Sequence, residues 1–97
     1  MSGLKPSKNQ SELLDFLGSA YTFQPIDLEL CLYRKFNERY DVEISGTYYK
    51  NHPIDIYVWD ISEGVHHGAR MVEKIGGITD WNKLKRALDL IEHQYRQ

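Results

Sequence analysis

Glu63, His66 and His67 place one carboxylate and two imidazoles within a single short stretch, the ligand types that zinc or nickel accepts. Their spacing works against a shared ion. His66 and His67 are adjacent, so their side chains diverge in an extended loop; the chain has no helical His-x-x-x-His pair, and a further ligand such as His52 has to arrive from elsewhere. A solvated loop is the simpler reading, with no metal and no cofactor expected.

Nucleophilic chemistry is no better supplied. Cys31, Ser45 and Ser62 are the candidate nucleophiles, each with only a distant histidine, and none stands in a nucleophile-elbow or cysteine-protease context. Cys31 reads as a small apolar filler on the side of its strand opposite the aliphatics. Asp55 and Asp60 followed by Glu73-Lys74 resemble the carboxylate and lysine set of metal-dependent nucleases, but Glu73 and Lys74 are neighbours and point to opposite faces of a strand. Gly76-Gly77 lacks the further glycine and the lysine of a phosphate cradle. No catalytic residue emerges, and the chain does not read as an enzyme.

The residues that remain are aromatic, and their spacing is informative. In the stretch YDVEISGTYYKNHPIDIYVWDI, from Tyr40 to Ile61, Tyr40, Val42 and Ile44 alternate with Asp41, Glu43 and Ser45, the period-two pattern of a half-buried strand. After a turn through Lys50, Asn51, His52 and Pro53 the alternation resumes with Ile54, Ile56 and Val58 on one side. The other side then reads Asp55, Tyr57, Trp59 and Ile61. That strand is apolar on both faces.

The elements around it follow from periodicity and caps. Residues 1–8 mix Gly, Pro, Ser and Lys and read as a loose arm, with the folded domain spanning 9–97. A helix follows, started by Ser7 with Gln10 or by Asn9 with Glu12, both of which fit a capping box. Its stripe is Leu13, Phe16, Leu17 and Ala20, and Gly18 weakens or ends it. After Pro25, Ile26, Leu28, Leu30 and Leu32 alternate through Tyr33 as one strand; the helical spacing of Leu28, Leu32, Phe36 and Tyr40 is the rival. Asn37-Glu38 turns the chain into the strand beginning near Arg39, where Gly46 marks a bulge. A loop from Ser62 to Gly68 leads to a further strand, Ala69 to Ile75, which Gly76-Gly77 breaks. The last helix is capped by Thr79 or Asp80 and buries Trp81, Leu84, Leu88, Ile91 and Tyr95, with Lys85–Asp89 and Glu92–Arg96 pairs outside.

The expected fold is a single α+β domain, α-β-β-β-β-α, with a four-stranded antiparallel meander and two terminal helices on one face. The geometry demands that one-sidedness. Four strands at about 4.8 Å make a layer of roughly 19 Å, and two helices about 10 Å apart cover that width once. Nothing is left for the other face, which holds Tyr57, Trp59 and Ile61, with Tyr33 and Tyr48 or Tyr49 beside them. A patch of this kind fits a partner surface; the plainer alternative is that Trp59 lies under a loop or the arm.

Composition narrows the partners. With 97 residues and a net charge of −2, the chain has one domain and no bulk attraction to nucleic acid. Residues 25–64 carry eight carboxylates against four Lys or Arg, and residues 65–97 four against six. Asp41, Glu43, Asp55 and Asp60 lie near the aromatic set, so stacking on single-stranded bases, with Arg34, Lys35, Arg39 and Lys50 as a basic rim, is a secondary reading. No apolar run approaches the roughly 20 residues of a membrane span, and the N-terminus lacks a secretory pattern. The single cysteine forms no intrachain disulfide, and a reducing cytoplasm is expected. The chain thus reads as a small cytoplasmic interaction module, an adaptor, inhibitor or homodimer, binding itself or a larger protein through Tyr33, Tyr48, Tyr57, Trp59 and Ile61.

Overall fold

A computed structural model of the chain describes residues 4–64 and 68–96. The elements run α1 (Lys8–Leu17), β1 (Thr22–Ile26), β2 (Glu29–Lys35), β3 (Tyr40–Ser45), β4 (Ile54–Asp60), β5 (Arg70–Ile78) and α2 (Trp81–Tyr95). The strands form one antiparallel sheet in sequence order. The expected α+β meander is present, with five strands where the periodicity suggested four.

The extra strand comes from a hidden turn. The alternation of Ile26, Leu28, Leu30 and Leu32 does not run along one strand, because Asp27 and Leu28 form a two-residue connection with φ of 50° and 68°. Positive φ at both central residues gives the twist a tight hairpin needs. Leu28 therefore stands at the tip, 96% exposed, instead of joining the aliphatic face. Pro25 is accommodated because β1 is an edge strand, where a missing N–H costs no ladder bond.

β5 departs from expectation for a related reason. Gly76 and Gly77 do not end it: the strand continues to Ile78, and the glycines fall at a register shift opposite Asp55. Gly77 adopts φ of 74°, and its N–H donates to Asp55 Oδ1 at 3.1 Å. A second shift leaves Val72 unpaired between Met71, opposite Trp59, and Glu73, opposite Val58, which accounts for the broken alternation there. Gly46 likewise lies beyond β3 in a turn and is no bulge. Its φ is 78°, and a Cβ on it would stand 2.5 Å from the Pro53 carbonyl oxygen.

Of the two possible N-terminal caps, Ser7 with Gln10 is the one that forms: Gln10 N–H donates to Ser7 Oγ at 3.1 Å and Ser7 N–H to Gln10 Oε1 at 3.0 Å. Ser7 therefore belongs to the folded domain. The helix ends at Gly18, so Ala20 lies outside it and the buried positions are Gln10 and Leu13, flanked by Leu14 and Leu17. Phe16 turns outward and packs against Trp81, with ring centroids 5.6 Å apart. At the other end of the chain, Asp80 caps α2 by accepting from Asn82 and Lys83 N–H.

One core joins both helices to one side of the sheet. Leu13 of α1 and Leu84, Leu88 and Ile91 of α2 pack with Leu32, Val42, Ile44, Ile56 and Val58. Leu32 pairs with Ile44 and Ile44 with Ile56, while Val42 pairs with Val58, so these side chains share a face. Arg34 fastens α2 to that face. Its guanidinium makes two 3.0 Å bonds to Glu92 and lies 5.5 and 5.2 Å from the rings of Tyr21 and Phe36. Replacing Arg34 by Met keeps the packing stem and removes the fork. Such a partly buried pair is expected to cost about 1–2 kcal/mol, measured by urea unfolding.

Candidate functional site

The face turned away from the helices is a trough of about 900 Å³. Its aromatic side is Tyr33, Tyr57 and Trp59, all half-buried; its acidic side is Asp27, Glu29, Asp41 and Glu43. Strand parity places them together. Tyr33 stands opposite Glu43, Glu43 opposite Tyr57, and Asp41 opposite Trp59, so rings and carboxylates adjoin across these central strands on the outward face. Ile61, just past β4, is buried at its end, where its N–H bonds the Arg39 carbonyl at 2.7 Å.

Diagonal hydrogen bonds lock the rings to the acids. Tyr33 donates its hydroxyl to Asp41 Oδ2 at 2.6 Å, and the Trp59 indole N–H donates to Glu43 Oε1 at 3.1 Å. Glu29 Oε2 accepts from Gly46 N–H at 2.8 Å. Tyr57 and Trp59 stack with centroids 6.4 Å apart at 25°, and the Lys74 ammonium lies 5.4 Å from the Tyr57 ring. Among the described residues Asp41 Oδ1 accepts nothing, although Asp41 is only 6% exposed.

These carboxylates are poorly compensated. Burial pushes the Asp41 carboxyl above its ordinary range against the opposing pull of the Tyr33 bond and of Lys35. Glu43 is raised for the same first reason, against its Trp59 bond and with Glu29, Asp27 and Asp41 adding repulsion. The Tyr33 hydroxyl is raised by burial and then by its bond to Asp41. Burial first and the neighbouring Glu29 and Glu43 second push the Cys31 thiol to about 12, which leaves it protonated and unreactive at neutral pH.

A raised folded-state pKa means that the ionised carboxylate opposes folding. The stability it allows is complete below the unfolded pKa and is lost as pH rises through the folded one. Glu43→Gln keeps an acceptor for the Trp59 indole and cannot ionise. Its unfolding midpoint at pH 7 is therefore expected to exceed that of the wild type by a few degrees, with the gap closing as the pH falls to about 4. Thermal melts at both pH values check this.

The other sequence candidates fall elsewhere. Tyr48 lies in the loop after β3, in edge-to-face contact with Tyr49 and with its carbonyl accepting from Ser7 Oγ at 2.6 Å; it does not line the trough. His66 and His67 lie outside the described residues, and His52 Nδ1 sits 2.7 Å from its neighbour's carbonyl oxygen. Among the described residues no three His, Cys, Asp or Glu side chains are placed to hold a metal. Asp55 and Asp60 face opposite sides of β4: Asp55 receives the Gly77 N–H, while Asp60 receives Ser62 Oγ at 2.6 Å and pairs with Arg39 and Arg70. Glu73 is bound by the Tyr95 hydroxyl at 2.7 Å. Of the cations in the expected basic rim, Arg34 pairs with Glu92, Lys35 with Glu38 and Arg39 with Asp60.

The acids were the residues sequence reasoning undervalued. The signal was present: Asp41 and Glu43 share strand parity with each other and, through the register, with Tyr57 and Trp59. Among the described residues no helix is long and apolar enough to cross a membrane. Compared with known proteins, the chain matches no family model, no curated protein and no solved structure.

Proposed function

We propose that this chain is an interaction module that docks a foreign protein on the uncovered side of its sheet. The observation that carries this reading is the placement of both helices on one face, which leaves Tyr33, Tyr57 and Trp59 half-buried in an acidic trough. Aromatic rings held by hydrogen bonds and stacking are already ordered, so a partner loses little additional side-chain entropy in burying them. Rings of this type commonly dominate binding energy.

Charge argues against self-association through the same patch. A two-fold contact through this patch would bring the carboxylates of Asp27, Glu29, Asp41 and Glu43 from both copies into one interface, and the concentration of like charge opposes association. Phosphate is disfavoured by the same carboxylates. The buried, unpaired thiol of Cys31 supports a reducing compartment such as the cytoplasm as the place of action.

Affinity capture from the native host with the wild type and a Tyr57→Ala/Trp59→Ala variant, together with light scattering, tests the proposal. The expected result is a monomer that retains a stoichiometric partner which the double variant loses. A partner held equally by both proteins, or a dimer dispersed by Trp59→Ala, contradicts it.

A further inference from the structure

Building on that docking reading, we propose that the partner presents an extended basic segment, with an arginine side chain laid over Trp59, its guanidinium bonded to Glu43 and held by the neighbouring charge of Asp41. Charge is the first ground. Asp27, Glu29, Asp41 and Glu43 line the trough, and among the described residues no Lys or Arg does; Lys35 and Lys74 stand at its margin, the one acting on Asp41 and the other over Tyr57.

The second ground is independent of the charge count. Asp41 is more than nine-tenths buried, and its Oδ1 has no donor among the described residues, while Oδ2 is already taken by Tyr33. A buried carboxylate with one donor is incompletely compensated, and a cation on the partner, attracted across the trough without bonding the enclosed Oδ1, offsets that cost. Guanidinium suits the place better than ammonium. It is planar, carries several donors in a fixed fork, and stacks on an indole face while bonding carboxylates at its edge.

Size and shape select a segment over a small cation. At about 900 Å³ the trough is near the upper end of ordinary ligand pockets, and it lies across an open sheet. The hairpin tip adds a contact beyond the trough floor. Leu28 is held at φ of 68° and is almost wholly exposed beside Asp27, which lines the trough. A non-glycine residue kept at positive φ with its apolar side chain in water fits a partner contact at the rim.

The test is a titration of the whole chain, followed by the indole N–H resonance of Trp59, with the capped peptide Gly-Val-Arg-Val-Arg-Val-Gly. Parallel titrations use the same peptide with citrulline or glutamate for arginine, and spermine. The arginine peptide is expected to bind at least about 10-fold tighter than the citrulline form, and to lose about 10-fold in affinity in Glu43→Gln and again in Asp41→Asn. Binding should also weaken as salt is raised. Both variants retain an acceptor, and thermal melts confirm that they fold. Citrulline or glutamate peptides binding as well as the arginine peptide overturn the basic segment while leaving docking intact. Spermine matching the peptide overturns the segment in favour of a small polycation. If no probe shifts Trp59 and host capture is also indifferent to Tyr57→Ala/Trp59→Ala, the docking reading itself fails.

Discussion

Trp59→Ala is expected to weaken partner binding by about 100-fold, close to 3 kcal/mol, while costing the fold only about 1 kcal/mol. The asymmetry follows from where the ring stands. Within the chain Trp59 makes a stacked contact with Tyr57 and one hydrogen bond to Glu43, and its outer face lines the trough. Removing it deletes the centre of the docking surface but no member of the core shared by the sheet and helices. Trp81 is the natural control, since it packs against that core and against Phe16 on the opposite side. Trp81→Ala should lower the unfolding midpoint and leave affinity unchanged. Calorimetric titration with the captured partner and thermal melts of both variants separate the two effects; equal affinities for wild type and Trp59→Ala would be the contrary result.

Gln10→Ala is expected to destabilise the protein by about 3 kcal/mol, a large share of what a domain of this size possesses. Gln10 is 1% exposed and serves three partners. Its Nε2 donates to the Leu30 carbonyl at 2.8 Å and to Thr47 Oγ1 at 3.1 Å, and its Oε1 accepts the Ser7 N–H. Alanine leaves a fully buried hydroxyl at Thr47 and a strand carbonyl without this donor, removes half of the capping box and opens a void. Equilibrium urea unfolding measures the loss, and a change below about 1 kcal/mol contradicts the buried-hub role. The trough should be little affected in the population that remains folded, because Gln10 acts on the helix side of the sheet.

Much of this architecture is visible in residue spacing because the two helices and the central strands are strongly periodic. Trp81, Leu84, Leu88, Ile91 and Tyr95 fix the buried stripe of α2, and the Ser7 and Gln10 pair marks the start of α1. The uncovered face follows from counting layers. The hairpin at Asp27-Leu28 escapes because its turn lacks glycine, while Ile26, Leu28, Leu30 and Leu32 keep the alternation of an unbroken strand. The two irregularities of β5 escape because a bulge changes parity without changing composition.

The candidate site was half legible for a different reason. Rings in outward strand positions are conspicuous, whereas Asp41 and Glu43 look like the ordinary solvated side of a strand. Only the register shows that Asp41 lies under Tyr33 and that Glu43 receives the Trp59 indole, which makes these acids part of the aromatic surface. Tyr48 shares only its residue type with those rings, and the loop after β3 carries it toward the start of α1.

Hydroxyl-radical footprinting of the chain, free and bound to its captured partner, bears on the docking face most directly. Tyr33, Tyr57, Trp59 and the exposed Leu28 are expected to lose reactivity in the complex, while Leu90 on the outer side of α2, 71% exposed, stays as reactive as before. Protection of Leu90 with unchanged reactivity at Tyr57 and Trp59 would place the partner on the helices and contradict a docking surface on the open side of the sheet.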